Sequence, residues 1–427
     1  MHLKIRASMT VILCLMALFV MAGRAGAQFL QYTPPGGPGD QTETRQERLE
    51  RELKDARYRL GPVRVAPWFT VRDVAYVRNI FATGQELPND VTATVGAGLR
   101  AYLRNGPKVT WTAQVLPEYV WWQKQSERRV LNGRYLLGVS GFFNRLTVEL
   151  NAGRQQQLQI VTPEVPVPVS SRNDGFQLLT ELRLAKTLFS FVNATFNRQN
   201  NVIEGTTDPV TGALRLLDRD ERLVRAGLRW RPSEALMIGA GAERSEVDFL
   251  RGEIDRSSEG TSPVAEVRYL GRRFSFDVDA AARSLRASRG AELVPYDGVT
   301  GSAALTLRTR NRLGAALYVN RNLEYSISPL YAYLQDERLG LAFNLNLGQR
   351  TRGRLFVEGG TNDYTPFRGA LRRQEDVSSY GGSINLELRQ GLIFGLQGVR
   401  SRFGSNLETG TRSYTSVGAT IGLTGLP

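Results

Sequence analysis

The chain has 427 residues and a formal charge of +14, from 55 Lys and Arg against 41 Asp and Glu, with one Cys and one His. Both singletons, His2 and Cys14, fall in the first 27 residues, which read as a removable segment, so the working chain has no thiolate, imidazole or disulfide. That excludes Ser-His-Asp and Cys-His catalysis, thiol redox chemistry and nearly all zinc, haem and iron–sulfur ligation. The expectation is a protein that is not an enzyme and holds no cofactor or metal.

Residues 1–27 have a basic start at Lys4 and Arg6, an apolar run from Thr10 to Ala22 and small residues at Ala25-Gly26-Ala27. The run is shorter than the roughly 20 residues of a spanning helix, so a secretory signal peptide cleaved after Ala27 is expected. Residues 28–41 are rich in Pro and Gly and read as a tether. In 42–60, Thr44 with Glu47 fits a capping box, and Glu47–Arg51 and Glu50–Lys54 are favourable i,i+4 pairs. Leu49, Leu53, Ala56 and Leu60 form one narrow apolar stripe. The spacing predicts a short, charged, solvated helix on the periplasmic side; a trimerising coiled coil, and with it a homotrimer, is the alternative.

From Gly61 onward period-two alternation replaces helical spacing. Val91, Ala93, Val95, Ala97 and Leu99 alternate with Thr92, Thr94, Gly96, Gly98 and Arg100. Leu146, Val148 and Leu150 alternate with Thr147, Glu149 and Asn151; Phe274, Phe276, Val278 and Ala280 alternate with Ser275, Asp277 and Asp279; and Leu339 to Leu347 repeats the pattern. Strands with one apolar and one strongly polar face, sustained over nine or more residues, predict a transmembrane antiparallel β-barrel over 61–427. Short turns fall near Asn105-Gly106, Phe143-Asn144, Lys186-Thr187, Pro232-Ser233, Gly271-Arg272, Arg310-Asn311, Gln349–Arg352 and Gln390-Gly391. Longer polar links lie between them, near 78–90, 123–130, 156–174, 199–219, 250–261, 287–297, 321–328, 362–376 and 401–412. This rhythm gives about 18 strands, or 16 if the segment around Pro67 is no strand, with both termini on the short-turn side. Phe142, Phe143, Phe189, Trp230, Tyr269 and Phe274 beside short turns, and Trp121 and Trp122 beside a longer link, fit interfacial girdles. The last strand lacks a terminal aromatic, so the assembly signal is expected inside it, near Tyr414.

Arg59 to Phe81, RLGPVRVAPWFTVRDVAYVRNIF, resembles the opening of a family of Gram-negative outer-membrane β-barrel porins. Leu60-Gly61-Pro62, Tyr76 and Asn79-Ile80-Phe81 carry the resemblance over about 23 residues; Val77-Arg78 stands where the family often has acidic residues. The resemblance implies a barrel in the cell outer membrane.

In a barrel of this size the polar face encloses water. The alternation assigns to it Arg100, Arg183, Arg225, Arg229, Arg268, Arg308, Arg354 and Arg389, together with Glu149, Glu181, Glu266, Asp277, Asp279 and Glu387. Opposite charges that pair and screen one another are the simpler expectation; an arginine-lined path favouring anions is the sharper one. Asp277 and Asp279 invite comparison with a carboxylate pair, but Arg268 on a neighbouring strand makes an ion pair the expectation. Asp218 and Asp220 are weak as a Ca²⁺ site. The bases are spread among strands, not gathered in one patch, so no nucleic-acid partner is expected. The chain is therefore expected to be a porin-like channel for passive diffusion of small hydrophilic solutes, with the excess of Arg leaning it toward anionic ones. The alternative is a non-conducting structural or exopolysaccharide-export barrel. Its expected partners are outer-membrane lipid and lipopolysaccharide, the barrel assembly machinery and small solutes.

Overall fold

Alternation of residue type becomes alternation of face. On the strand Asp90–Asn105, Val95, Leu99 and Leu103 are exposed while Thr92, Thr94 and Tyr102 are buried. Successive side chains on a strand point to opposite sides, so one side of the sheet is a continuous apolar surface and the other is polar. A computed structural model describes residues 45–77, 90–162, 164–202, 213–252, 254–309, 313–348, 350–367, 369–389, 392–407 and 411–424. The expected signal peptide, the tether and the turns at Arg310-Asn311 and Gln390-Gly391 lie outside the described residues.

A helix α1 (Arg45–Asp55) is followed by a three-residue strand, Tyr58–Leu60. That short strand folds back on Val63–Val65 across Gly61, whose φ of +61° needs a residue without a side chain. The barrel strands are β1 (Val63–Val77), β2 (Asp90–Asn105), β3 (Val109–Trp122), β4 (Val130–Phe142), β5 (Leu146–Thr162) and β6 (Val165–Arg183). They continue as β7 (Leu188–Val202), β8 (Arg219–Trp230), β9 (Leu236–Phe249), β10 (Ser258–Leu270), β11 (Phe274–Ala287) and β12 (Tyr296–Thr309). The ring is completed by β13 (Leu313–Tyr325), β14 (Tyr331–Asn346), β15 (Thr351–Pro366), β16 (Arg373–Arg389), β17 (Leu392–Ser405) and β18 (Arg412–Thr424).

Each strand pairs antiparallel with the next, and β18 returns to β1 through Ile421↔Val71 and Leu423↔Phe69. Closure leaves no open edge, the condition for a sheet in lipid. The result is the expected all-β antiparallel barrel of eighteen strands, β1 included. Pro67 is tolerated because the described β18 pairing starts one residue later, at Trp68.

Two local expectations change. The 156–174 link is strand almost throughout: Gln156 pairs with Arg172, Ile160 with Pro168 and Thr162 with Val165. Beyond the lipid a strand needs no apolar face, so a Gln-rich run that reads as a loop can still pair. Trp122 does not join Trp121 in an outer girdle. Trp121 is exposed and Trp122 fully buried, since neighbours on a strand face opposite ways. Phe143, Trp230 and Phe274 are exposed beside short turns as expected, whereas Phe189 stacks under Arg231.

Candidate functional site: the barrel interior

One wall of the interior, from β6 to β11, is a charge network. Arg229 lies between Glu266 on β10, which its Nε reaches, and Glu181 on β6 at 3.2 Å. Arg231, just past β8, donates to the same Glu181 at 2.6 Å. Arg225 on β8 bridges Glu243 on β9 at 2.8 Å and Asp279 on β11 at 2.6 Å, and Arg283 reaches the other oxygen of Glu243 at 2.8 Å. Arg268 pairs with Asp277 at 2.6 Å. Long forked side chains on one face of neighbouring strands meet in this way because guanidinium offers paired donors to paired carboxylate oxygens. Arg229 also stacks on Phe191, 3.9 Å from its ring centroid. Glu243, 1% exposed, is held by two guanidinium groups at once.

The alternation thus brings together Arg225, Arg229, Arg268, Glu181, Glu266, Asp277 and Asp279. It does not bring the other predicted residues into that wall. Arg100 on β2 stacks over Trp68 at 5.0 Å, with Gly98 leaving room for the indole. Arg183 at the end of β6 lies 5.8 Å from the Phe189 ring. Glu149 on β5 pairs with Arg45 of α1 at 3.1 Å. Arg308, Arg354 and Glu387 sit near short turns on β12, β15 and β16, and Arg389 is placed by its backbone pairing with Leu392.

The opposite wall holds a second network that the sequence reading missed. The carboxylate of Glu375 on β16 is fully buried and accepts from Arg412 at 2.6 Å and 3.0 Å, Arg373 at 2.6 Å and the Tyr364 hydroxyl at 3.0 Å. Asn362 joins it to Arg338, which also pairs with Asp336. Arg373, Glu375 and Arg412 fall in or beside segments that read as polar links; the signal that could have placed them is the alternation Arg373-x-Glu375. On the same wall, toward the short-turn end, lies an apolar patch of Ala316, Tyr318, Ala342, Phe356 and Val399.

Chain segments enter both ends. At the short-turn end the apolar stripe of α1 is not solvated as expected: Leu53 and Ala56 are buried with Tyr102 of β2, while Leu49 and Ala66 pack alongside. Tyr102 donates to Glu52, and Arg64 donates to the Leu53 carbonyl at 2.7 Å. Between α1 and the wall lies a cavity of about 450 Å³ lined by residues that include Arg48, Arg100, Gln114 and Asn151. At the other end, the β5–β6 hairpin sends Glu164 to the β13–β14 loop, eight strands away around the ring. Its carboxylate accepts from Ser326 Oγ at 2.8 Å and the Ile327 N–H at 2.6 Å, with Arg373 at 3.8 Å.

That reach is consistent with the barrel's size. Strands about 4.8 Å apart and tilted about 40° close eighteen of them into a ring about 36 Å across, and residues 153–162 extend about 30 Å. Burial pushes the Glu164 carboxyl above the usual range, against the pull of Ile327, Ser326 and Arg373. The same loop cluster is tied by Arg256, which donates to the carbonyls of Ser326 and Leu216. Asp218, weighed as a Ca²⁺ ligand, accepts from the Asn201 N–H at 2.7 Å and pairs with Arg251 at 3.2 Å.

No family model and no curated protein matches the chain. Solved structures do match. Pseudomonas aeruginosa OpdK with vanillate superposes with a TM-score of 0.53 at 8% identity, covering 84% of this chain and 99% of that one. Pseudomonas aeruginosa OccK2 (OpdF) gives 0.50 at 12% identity, covering 85% and 97%. The fold is that of an outer-membrane porin. An outward apolar belt on a closed porin barrel is a surface for lipid, which places it in an outer membrane.

Proposed function

We propose that this porin barrel is a channel for passive diffusion of small hydrophilic solutes, with a mild preference for anions. The observation that carries the reading is the wall from β6 to β11, where charged side chains on the inner face replace an apolar core. A solute crossing there exchanges water for fixed donors and acceptors, the condition for passage through a polar pore. The lean toward anions rests on the excess of arginine in the chain and on the vanillate bound by OpdK, an aromatic carboxylate. Arg100, Arg183, Arg308, Arg354 and Arg389 are the further cations assigned to the lumen. In this reading residues 1–27 direct export, residues 28–60 form the periplasmic lead-in, and catalysis has no part. Purified protein in planar bilayers conducts, and its reversal potential in a salt gradient has the sign of anion preference. A sealed barrel overturns the channel, and a cation-selective one overturns the preference.

The entry of α1 and the β5–β6 hairpin into the two ends favours one second reading: a non-conducting structural barrel, or one tied to exopolysaccharide export. Absence of conductance both in the native protein and after removal of α1 supports it.

A further inference from the structure

The outer face carries charges of its own just beyond the apolar belt. On β5 the outward position after Ala152 is Arg154, on β6 the one beyond Phe176 is Asp174, and on β7 the one after Phe196 is Arg198. One outward step along a strand is about 7 Å, so these groups stand at the level where acyl chains give way to headgroups. They share one register row, Arg154↔Asp174↔Arg198↔Asp220, which continues to Asp248 on β9. Arg154 donates to Asp174 through Nε at 2.6 Å and Nη2 at 3.2 Å, and Arg198 donates to Asp220 through Nε at 2.7 Å and Nη2 at 2.6 Å. Those bonds use Nε and Nη2; the Nη1 amino group of each stands outside them. Arg172 adds a third guanidinium 3.5 Å from Asp174.

We propose that this row is a docking site for the phosphate of a lipid in the leaflet at the loop end. The aspartates hold two forks in fixed orientation, and the groove between the forks is lined by two guanidinium groups, Arg154 and Arg198, against one carboxylate, Asp174, which leaves it cationic. Arginine presents paired donors that match phosphate oxygens. Between the forks an open groove of about 620 Å³ is lined by Tyr135 and Phe196 as well as Arg154 and Arg198, so an acyl chain has an aromatic surface directly below the charge. The side chains of Arg154 and Arg198 remain about half exposed, at 53% and 48%. The site rests on the barrel's place in a membrane and not on conduction.

The test is native mass spectrometry of the delipidated, refolded barrel titrated with lipid A carrying its phosphates, with the same lipid stripped of phosphate, and with inorganic phosphate. The phosphorylated lipid binds the native protein about tenfold more tightly than the stripped one. Arg154→Ala with Arg198→Ala removes that difference, Arg154→Lys with Arg198→Lys keeps part of it, and bilayer conductance is the same in all three proteins. Inorganic phosphate alone binds weakly, because it has no chain for the groove. Equal binding of the two lipids to the native protein overturns the proposal even if a variant fails to assemble. Undiminished binding to an assembled double alanine variant overturns it as well.

Discussion

Replacing Glu164 by alanine tests whether the hairpin across the mouth is held or merely lies there. The carboxylate accepts two hydrogen bonds, at 2.8 Å from Ser326 and 2.6 Å from Ile327, and has Arg373 at 3.8 Å. Each bond accepted by a carboxyl oxygen stabilises by about 1 kcal/mol. The side chain is 2% exposed, so losing these bonds is not made good by water. The two together give about 2 kcal/mol, which is about a 30-fold shift in the ratio of docked to released hairpin. Single-channel recording reads this directly: Glu164→Ala raises the released-to-docked dwell ratio about 30-fold, and Glu164→Gln, which keeps one acceptor oxygen, raises it less. The only cysteine of the chain is Cys14, so a bifunctional thiol reagent between Glu164→Cys and Ser326→Cys gives an independent reading by freezing the docked state. Unchanged gating in Glu164→Ala refutes the latch, whatever the conductance itself.

The same latch has a pH dependence of determined sign. Burial raises the Glu164 carboxyl above its ordinary value, so the docked state prefers the proton; docking is fully supported below the ordinary carboxylate range and weakens as pH rises through the raised value. Hairpin release increases with pH in the native channel and is flat in Glu164→Gln, with Asp218→Asn as the control because burial shifts Asp218 the same way. Glu243→Ala leaves Arg225 and Arg283 without their shared carboxylate and destabilises the barrel by about 3 kcal/mol, read as a lower transition temperature in heat-modifiable gel mobility; an unchanged transition shows that water replaces the pair. In-frame removal of 45–55 enlarges single-channel conductance, while cross-linking Arg45→Cys to Glu149→Cys does not; equal conductance before and after removal means that α1 lies outside the conducting path.

The legibility of this fold follows the membrane. Where a strand crosses lipid, one face must be apolar, so the positions of Arg225, Arg229, Asp277 and Asp279 could be read from their neighbours. Their partners across the sheet could not, because Arg225 reaches Asp279 over two intervening strands and register is not written in a single strand. Outside lipid the requirement lapses. Glu164, Arg373, Glu375 and Arg412 lie in such stretches, and polar strand and polar loop look alike there. The α1 stripe of Leu49, Leu53 and Ala56 was visible as a pattern, but nothing in it specifies that Tyr102 is the surface it meets.

In the proposed channel, the charge network from β6 to β11 also sets what a passing ion feels. Each guanidinium there has a carboxylate within the same wall, so the wall is a mosaic of dipoles and not a line of charges. Fields of opposite sign a few ångströms apart cancel within about one such spacing, well inside the screening length of about 8–10 Å in physiological salt. An ion on the channel axis therefore meets an electrically quiet midsection, and an uncharged polar solute is not handicapped against a charged one. Discrimination is left to the two ends, where Arg48 and Arg100 face the α1 cavity and Arg373 stands beside the hairpin tip.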